Sequence, residues 1–216
     1  MSNRRGALAL ALPLLVVAGC LLFYAGLIPL GYWQGDEFLT VRAIRAHGIS
    51  GLGWRLVNWS PRPFSEGLLY AYMFTVMGTG RQLIAPMLGA LWLLMGVALV
   101  LPAALAGRSR VLAAMASVVI LGGVVVQPLS NRYFHDAFFW IQGAVAYVPT
   151  VAALLAVLAL LCFGSSRSRG LWIVVTLLMV VTAITSEVGA FFVLLFSGLL
   201  LAIWLGGFLL PERLGL

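Results

Sequence analysis

Long apolar runs broken by short polar or basic segments fill almost the whole chain, and that alternation predicts a bundle of membrane-spanning helices. The first run covers residues 6–30. Arg4 and Arg5 precede it, so the positive-inside rule puts its N-terminus in the cytoplasm. Tyr32 and Trp33 follow as an interfacial aromatic pair. The next full spans are expected over 82–106, 111–129, 144–163, 171–185 and 188–210. Basic turns containing Arg108 and Arg110, and then Arg167 and Arg169, lie between spans on the cytoplasmic side. Residues 211–213 close the chain on that same side.

The segment 32–80 breaks the rhythm. Residues 38–47 mix apolar and basic positions at helical spacing, as a helix lying along a membrane surface does. Residues 48–53 are expected to break it. A second interfacial piece is expected over 54–59, stopped by Pro61 and Pro63. Residues 64–77 are apolar. The stretch between Glu66 and Arg81 is only about 22 Å long as a helix, against a hydrocarbon core of about 30 Å. We read it as a re-entrant or steeply tilted helix. A true span there would place Arg108 and Arg110 outside and invert everything after it. The expected fold class is an all-α polytopic membrane protein. It has about six transmembrane helices, one re-entrant or short helix, and interfacial amphipathic helices in the first outer loop. The chain reads as one transmembrane domain over 1–216, without a soluble C-terminal domain.

Composition agrees with the pattern. The chain is 63% hydrophobic and 9% charged, whereas a soluble surface needs about a quarter of its residues charged. The net charge of +7 therefore speaks for topology and attraction to anionic membrane lipids, not for nucleic acid. Cys20 and Cys162 both fall inside apolar runs, as small buried hydrophobes do. The residues around Cys20 resemble a lipoprotein cleavage box. The apolar residues after it and the length of the run favour an uncleaved first helix.

The acids are few and carry the candidate chemistry. Asp36, Glu37, Glu66, Asp136 and Glu187 all fall on the outer side of this topology, and Arg62, Arg132 and His135 join them. Carboxylates at membrane depth are expensive, so their gathering on one face reads as a site. Paired carboxylates act as general bases or metal ligands, and arginine holds phosphate bidentately. That combination suits a lipid-linked phosphate at the headgroup layer. Each residue also has a plain reading. Asp36 is then a solvated loop acid, Asp136 a helix-end acid beside Arg132, and Glu66 an acid in a first helical turn. Glu187 is then an apex residue reaching water, and Arg62 an interfacial anchor. Arg42, Arg45 and Arg55 read as headgroup contacts.

The layout resembles the N-terminal module of the GT-C superfamily of polyprenyl-phosphate-dependent membrane glycosyltransferases. The resemblance rests on an ordered set of residues. Asp36-Glu37 opens the loop after the first helix. Arg81-Gln-Leu-Ile-Ala-Pro-Met-Leu-Gly-Ala-Leu begins an Arg-led span that ends at Gly107-Arg108. Pro128-Leu-Ser-Asn-Arg132-Tyr-Phe-His-Asp136 resembles an outer Pro, Ser-Arg, Asp element. Phe139-Trp140-Ile-Gln-Gly143-Ala-Val-Ala-Tyr147 resembles a Trp, Gly, Tyr element of polytopic relatives. It covers most of this chain but only the first part of a usual family member.

The resemblance implies a glycosyltransferase moving a sugar from a polyprenyl-phosphate donor to an acceptor on the non-cytoplasmic face of a bacterial inner membrane. Asp36 would be the catalytic carboxylate, with Glu37 supporting it and Asp136 as the second acid. Arg132 would contact phosphate, with Arg62, His135, Glu66 and Glu187 around the substrate. One branch of the superfamily holds Mg²⁺ or Mn²⁺ on such acids, here Asp36 and Asp136; other branches use no metal. The alternative class is a lipid-linked saccharide transporter or flippase, or a non-catalytic subunit working with a membrane partner in a surface-polysaccharide complex. A third reading, an ion- or proton-coupled carrier, needs acids in mid-span, and only Glu187 qualifies.

Overall fold

A computed structural model describes residues 2–105, 111, 114–115, 117–118, 139–163 and 169–209. Every regular element among them is helical. Helix α1 is Ser2–Leu27 and runs into a 3₁₀ turn, Ile28–Leu30. Three shorter helices follow: α2 (Gly35–His47), α3 (Ser50–Asn58) and α4 (Pro63–Thr79). The long helices are α5 (Ile84–Leu105), α6 (Ile141–Phe163), α7 (Arg169–Thr185) and α8 (Glu187–Leu209).

Three stretches are long and apolar enough to cross a membrane: Ala9–Leu30, Ile84–Leu105 and Ile141–Cys162, of 22 residues each. At 1.5 Å per residue each spans about 33 Å, enough for the hydrocarbon core. Their ends are in register. Tyr24 near the end of α1 stacks on Trp92 of α5 at 4.6 Å, and on Phe139 just before α6 at 5.9 Å. The Tyr32 N–H donates to the Phe139 carbonyl at 3.2 Å, tying the exit of α1 to the entry of α6. Gly31 lies close against α5, where a Cβ would come within 2.7 Å of the Ile84 side chain. We call this the upper end of the bundle.

Helix α4 is 17 residues long, about 25 Å, and is not among the three spanning stretches. Its C-terminal half reaches the upper end. There the Tyr72 hydroxyl donates to the Gln82 carbonyl and accepts from the Trp33 indole N–H at 3.1 Å. Its N-terminal end lies lower, with the Ser65 hydroxyl donating to the Thr185 carbonyl at the end of α7 at 2.8 Å. Gly80, in the left-handed conformation at φ 66°, ends the helix and lets α5 begin at the same upper level. The helix expected over 64–77 is thus present and shorter than the three spanning stretches.

Two boundaries differ from expectation. The break predicted over 48–53 shrinks to the Gly48 turn, because α3 starts at Ser50 and takes in both Gly51 and Gly53. At Gly51 the reason is close packing. A Cβ there would lie 2.8 Å from the Tyr70 hydroxyl and 3.3 Å from the Ala43 carbonyl. The α7–α8 apex also sits lower than the upper end. The Thr150 and Ser186 hydroxyls are hydrogen-bonded at 3.0 Å, and Thr150 lies about 13 Å along α6 from Ile141. Helix α7, at 17 residues, is too short to climb further. Gly189 lets the hairpin close, since a Cβ there would collide with the Thr182 carbonyl. The predicted span 111–129 and the basic turns around Arg108 and Arg167 lie largely outside the described residues.

Candidate functional site

Glu37 organises the upper end. It is fully buried and accepts three hydrogen bonds: from the Trp140 indole at 2.7 Å, the Gln142 backbone N–H at 2.8 Å and the Gln34 backbone N–H at 2.9 Å. The bond from Gln34 is a capping box that starts α2. The bond from Gln142 satisfies an open N–H in the first turn of α6, where the helix dipole also favours a negative charge. One carboxylate thus pins α2 to α6. Burial pushes its pKa up, the three donors pull it back, and the net value stays above the ordinary carboxylate range.

That balance has a measurable consequence. The native value lies above the unfolded one, so the folded chain holds the proton more tightly. Stability from this group is full below the ordinary carboxylate range and declines as pH rises through the raised native value. Glu37→Gln flattens that slope. It also turns an amide NH₂ toward donors that need an acceptor, costing about 1–3 kcal/mol. Denaturant unfolding of the purified protein from about pH 4 to pH 8 checks both effects. An unchanged slope in the variant would mean that Glu37 does not titrate in this window.

Asp36, its neighbour, is half-buried and forms no ion pair among the described residues. Its backbone carbonyl accepts the Thr40 hydroxyl at 2.8 Å. The helical period puts Asp36, Leu39, Ala43 and Ala46 on one face of α2, and Glu37, Thr40 and Ile44 on the buried face. Leu39, Ala43 and Ala46 line a groove of about 580 Å³ between α2 and α3, together with Arg42, His47, Trp54, Arg55 and Trp59. Asp36 therefore stands one helical turn beyond the groove on the same face.

Glu66 and Glu187 are both paired, each in a different place. Glu66 is buried and receives Arg55 bidentately, at 2.7 Å from Nε and 3.3 Å from Nη2. Trp59 covers that guanidinium at 5.8 Å. Glu187 accepts from Arg62 Nε at 2.7 Å. This pair links the foot of α4 to the α7–α8 apex, beside the Ser65–Thr185 and Thr150–Ser186 bonds and well below Glu37. Of the five acids expected on one face, Asp36 and Glu37 stand at the upper end, and Glu66 and Glu187 form two ion pairs below them. Asp136, Arg132 and His135 lie outside the described residues. Among the described residues no three His, Cys, Asp or Glu side chains come together to hold a metal ion. Glu37 is already committed to three donors, so it does not complete a Mg²⁺ or Mn²⁺ site around Asp36.

Sequence reasoning missed Arg55 as the partner of Glu66 and Trp140 as the partner of Glu37. The spacing Gln34-x-x-Glu37 was the available signal for a capping box. Nothing in the sequence marks Arg55, among three arginines at 42, 45 and 55, as the one that turns inward.

Comparison of the chain with protein-family models, curated proteins and solved structures finds no match. What the fold and the composition define is a class, an all-α membrane protein.

Proposed function

We propose that this chain is a GT-C-like membrane glycosyltransferase, or its core module, that moves a sugar from a polyprenyl-phosphate donor to an acceptor hydroxyl on the non-cytoplasmic face. The observation that carries the reading is Asp36: a carboxylate with no ion pair among the described residues, held at the upper end of the spans by its clamped neighbour Glu37, next to a groove walled by tryptophan and edged by Arg42 and His47. In this reading the chain crosses a bacterial inner membrane six times with its N-terminus inside, and the upper end faces outward.

The chemistry follows from placement. Asp36 orients the acceptor hydroxyl and takes its proton as the oxygen attacks the anomeric carbon. The new glycosidic bond forms as the bond from that carbon to the phosphate oxygen breaks. The electron pair leaves with the polyprenyl phosphate, and the anomeric configuration inverts. Arg132 and His135 are the proposed cationic partners of the leaving phosphate. Arg62 is spent on Glu187, so it supports the foot of α4 instead of meeting the donor.

A second reading has its own support. The Arg62–Glu187 pair places charge beside α6 well below its start, where a transporter of lipid-linked saccharides keeps polar groups. One assay separates the two. Purified protein is given a polyprenyl-phosphate sugar and an acceptor in mixed micelles. Release of free polyprenyl phosphate together with a glycosylated acceptor supports the transferase. Binding or movement of an intact lipid-linked sugar, with no cleavage, supports the transporter and rejects the transferase.

A further inference from the structure

The α2–α3 groove that stands beside Asp36 has a chemical character of its own. Its walls are Leu39, Ala43, Ala46, Trp54 and Trp59, and its polar edge is Arg42, His47 and Ser50. Arg42 and His47 are both exposed and make no ion pair among the described residues. Glu66 is already held by Arg55, and Asp36 stands one helical turn beyond Leu39 on α2. The groove edge therefore presents Arg42 and His47 with no acid among its lining residues, while the Ser50 hydroxyl is already donated to the His47 carbonyl at 2.6 Å. Around it, Ile49 is 69% exposed and Val57 83% exposed, an apolar surround that suits acyl chains.

Beneath the groove lies an unfilled donor. Tyr70 is 1% exposed, its hydroxyl rests against Gly51 near the Arg55–Glu66 pair, and it has no hydrogen-bond partner. A buried hydroxyl left this way is destabilising, and an acceptor oxygen drawn in beside Gly51 would relieve it. Charge, apolar walls and an orphan donor together call for an amphiphilic anion.

We infer that the α2–α3 groove binds the phosphate headgroup of an anionic phospholipid. Arg42 and His47 engage the phosphate, the Tyr70 hydroxyl donates to one of its oxygens, and Trp54 and Trp59 flank the glycerol and the upper acyl chain. A phosphodiester lipid of the phosphatidylglycerol type fits, because its headgroup brings negative charge without a cation of its own. Phosphatidylcholine carries a quaternary ammonium that meets the Arg42 guanidinium here.

The test uses the full chain in nanodiscs of dioleoyl phosphatidylcholine containing a minor share of dioleoyl phosphatidylglycerol, with retained lipid counted by native mass spectrometry. The expected result is one phosphatidylglycerol held per chain through activation, with phosphatidylcholine lost. Arg42→Gln and Tyr70→Phe each lower that retention by about tenfold. Tyr70→Phe is the decisive variant, because it removes an unpartnered hydroxyl and so leaves the lipid-free fold at least as stable. Equal retention of the two lipids would overturn the inference, as would wild-type retention in either variant. So would displacement of the lipid by soluble glycerol phosphate at comparable concentration, since the site would then be one for a free phosphate.

Discussion

On the proposed transferase reading, Asp36→Asn is expected to lower sugar transfer by about 10²–10⁴-fold, the range that a positioned general base contributes. The substitution keeps the shape of the side chain and removes only its capacity to accept a proton. Asp36 makes no ion pair among the described residues, so its loss leaves the scaffold unaltered and stability within about 0.5 kcal/mol of wild type. Glu37→Gln supplies the contrast, since it damages the clamp between α2 and α6 and acts first on stability. Steady-state transfer measured beside denaturant unfolding separates the two variants. Near-full activity in Asp36→Asn would remove the carboxylate from the mechanism.

Arg55→Ala and Glu66→Ala are each expected to cost about 3–5 kcal/mol of stability, because each leaves the other charge buried and alone. The side chains of both residues are only 4% exposed, and their contact is bidentate. An apolar replacement of the whole pair, Arg55→Met with Glu66→Leu, removes both desolvation penalties at once and costs much less than either single change. The double-mutant cycle, read from unfolding in mixed micelles, gives the coupling directly. Single variants that unfold like wild type would show that water reaches this pair and that α3 is not anchored to α4 through it.

Hydropathy alone made the long helices legible. The expected runs 6–30, 82–106 and 144–163 correspond to α1 with its 3₁₀ turn, α5 and α6, because a run of some twenty apolar residues has few other solutions. The α4 rise was legible from its length. The partners of the charged residues were not. Glu37 and Asp36 are adjacent and chemically alike. Which of them turns inward depends on where α6 begins, more than a hundred residues later. Arg42, Arg45 and Arg55 share one composition and one expected role, yet only Arg55 meets a buried acid, since Gly51 brings α3 close enough to α2 and α4. The level of Glu187 depended on α7 falling short of the upper end, and its contact with Arg62 follows from that shortfall.

The central claim is that Asp36 and the upper ends of the spans face one compartment while the basic turns face the other. Single cysteines placed by Asp36→Cys, Arg81→Cys, Ser109→Cys, Asp136→Cys, Ser166→Cys and Glu187→Cys, in a background carrying Cys20→Ala and Cys162→Ala, test it with a membrane-impermeant maleimide on intact cells. The account predicts labelling at 36, 81, 136 and 187 and protection at 109 and 166 until the membrane is opened. Labelling of 109 from outside, or of 136 and 187 only from the face opposite 36, would contradict it, because the acids would then be unable to share a site.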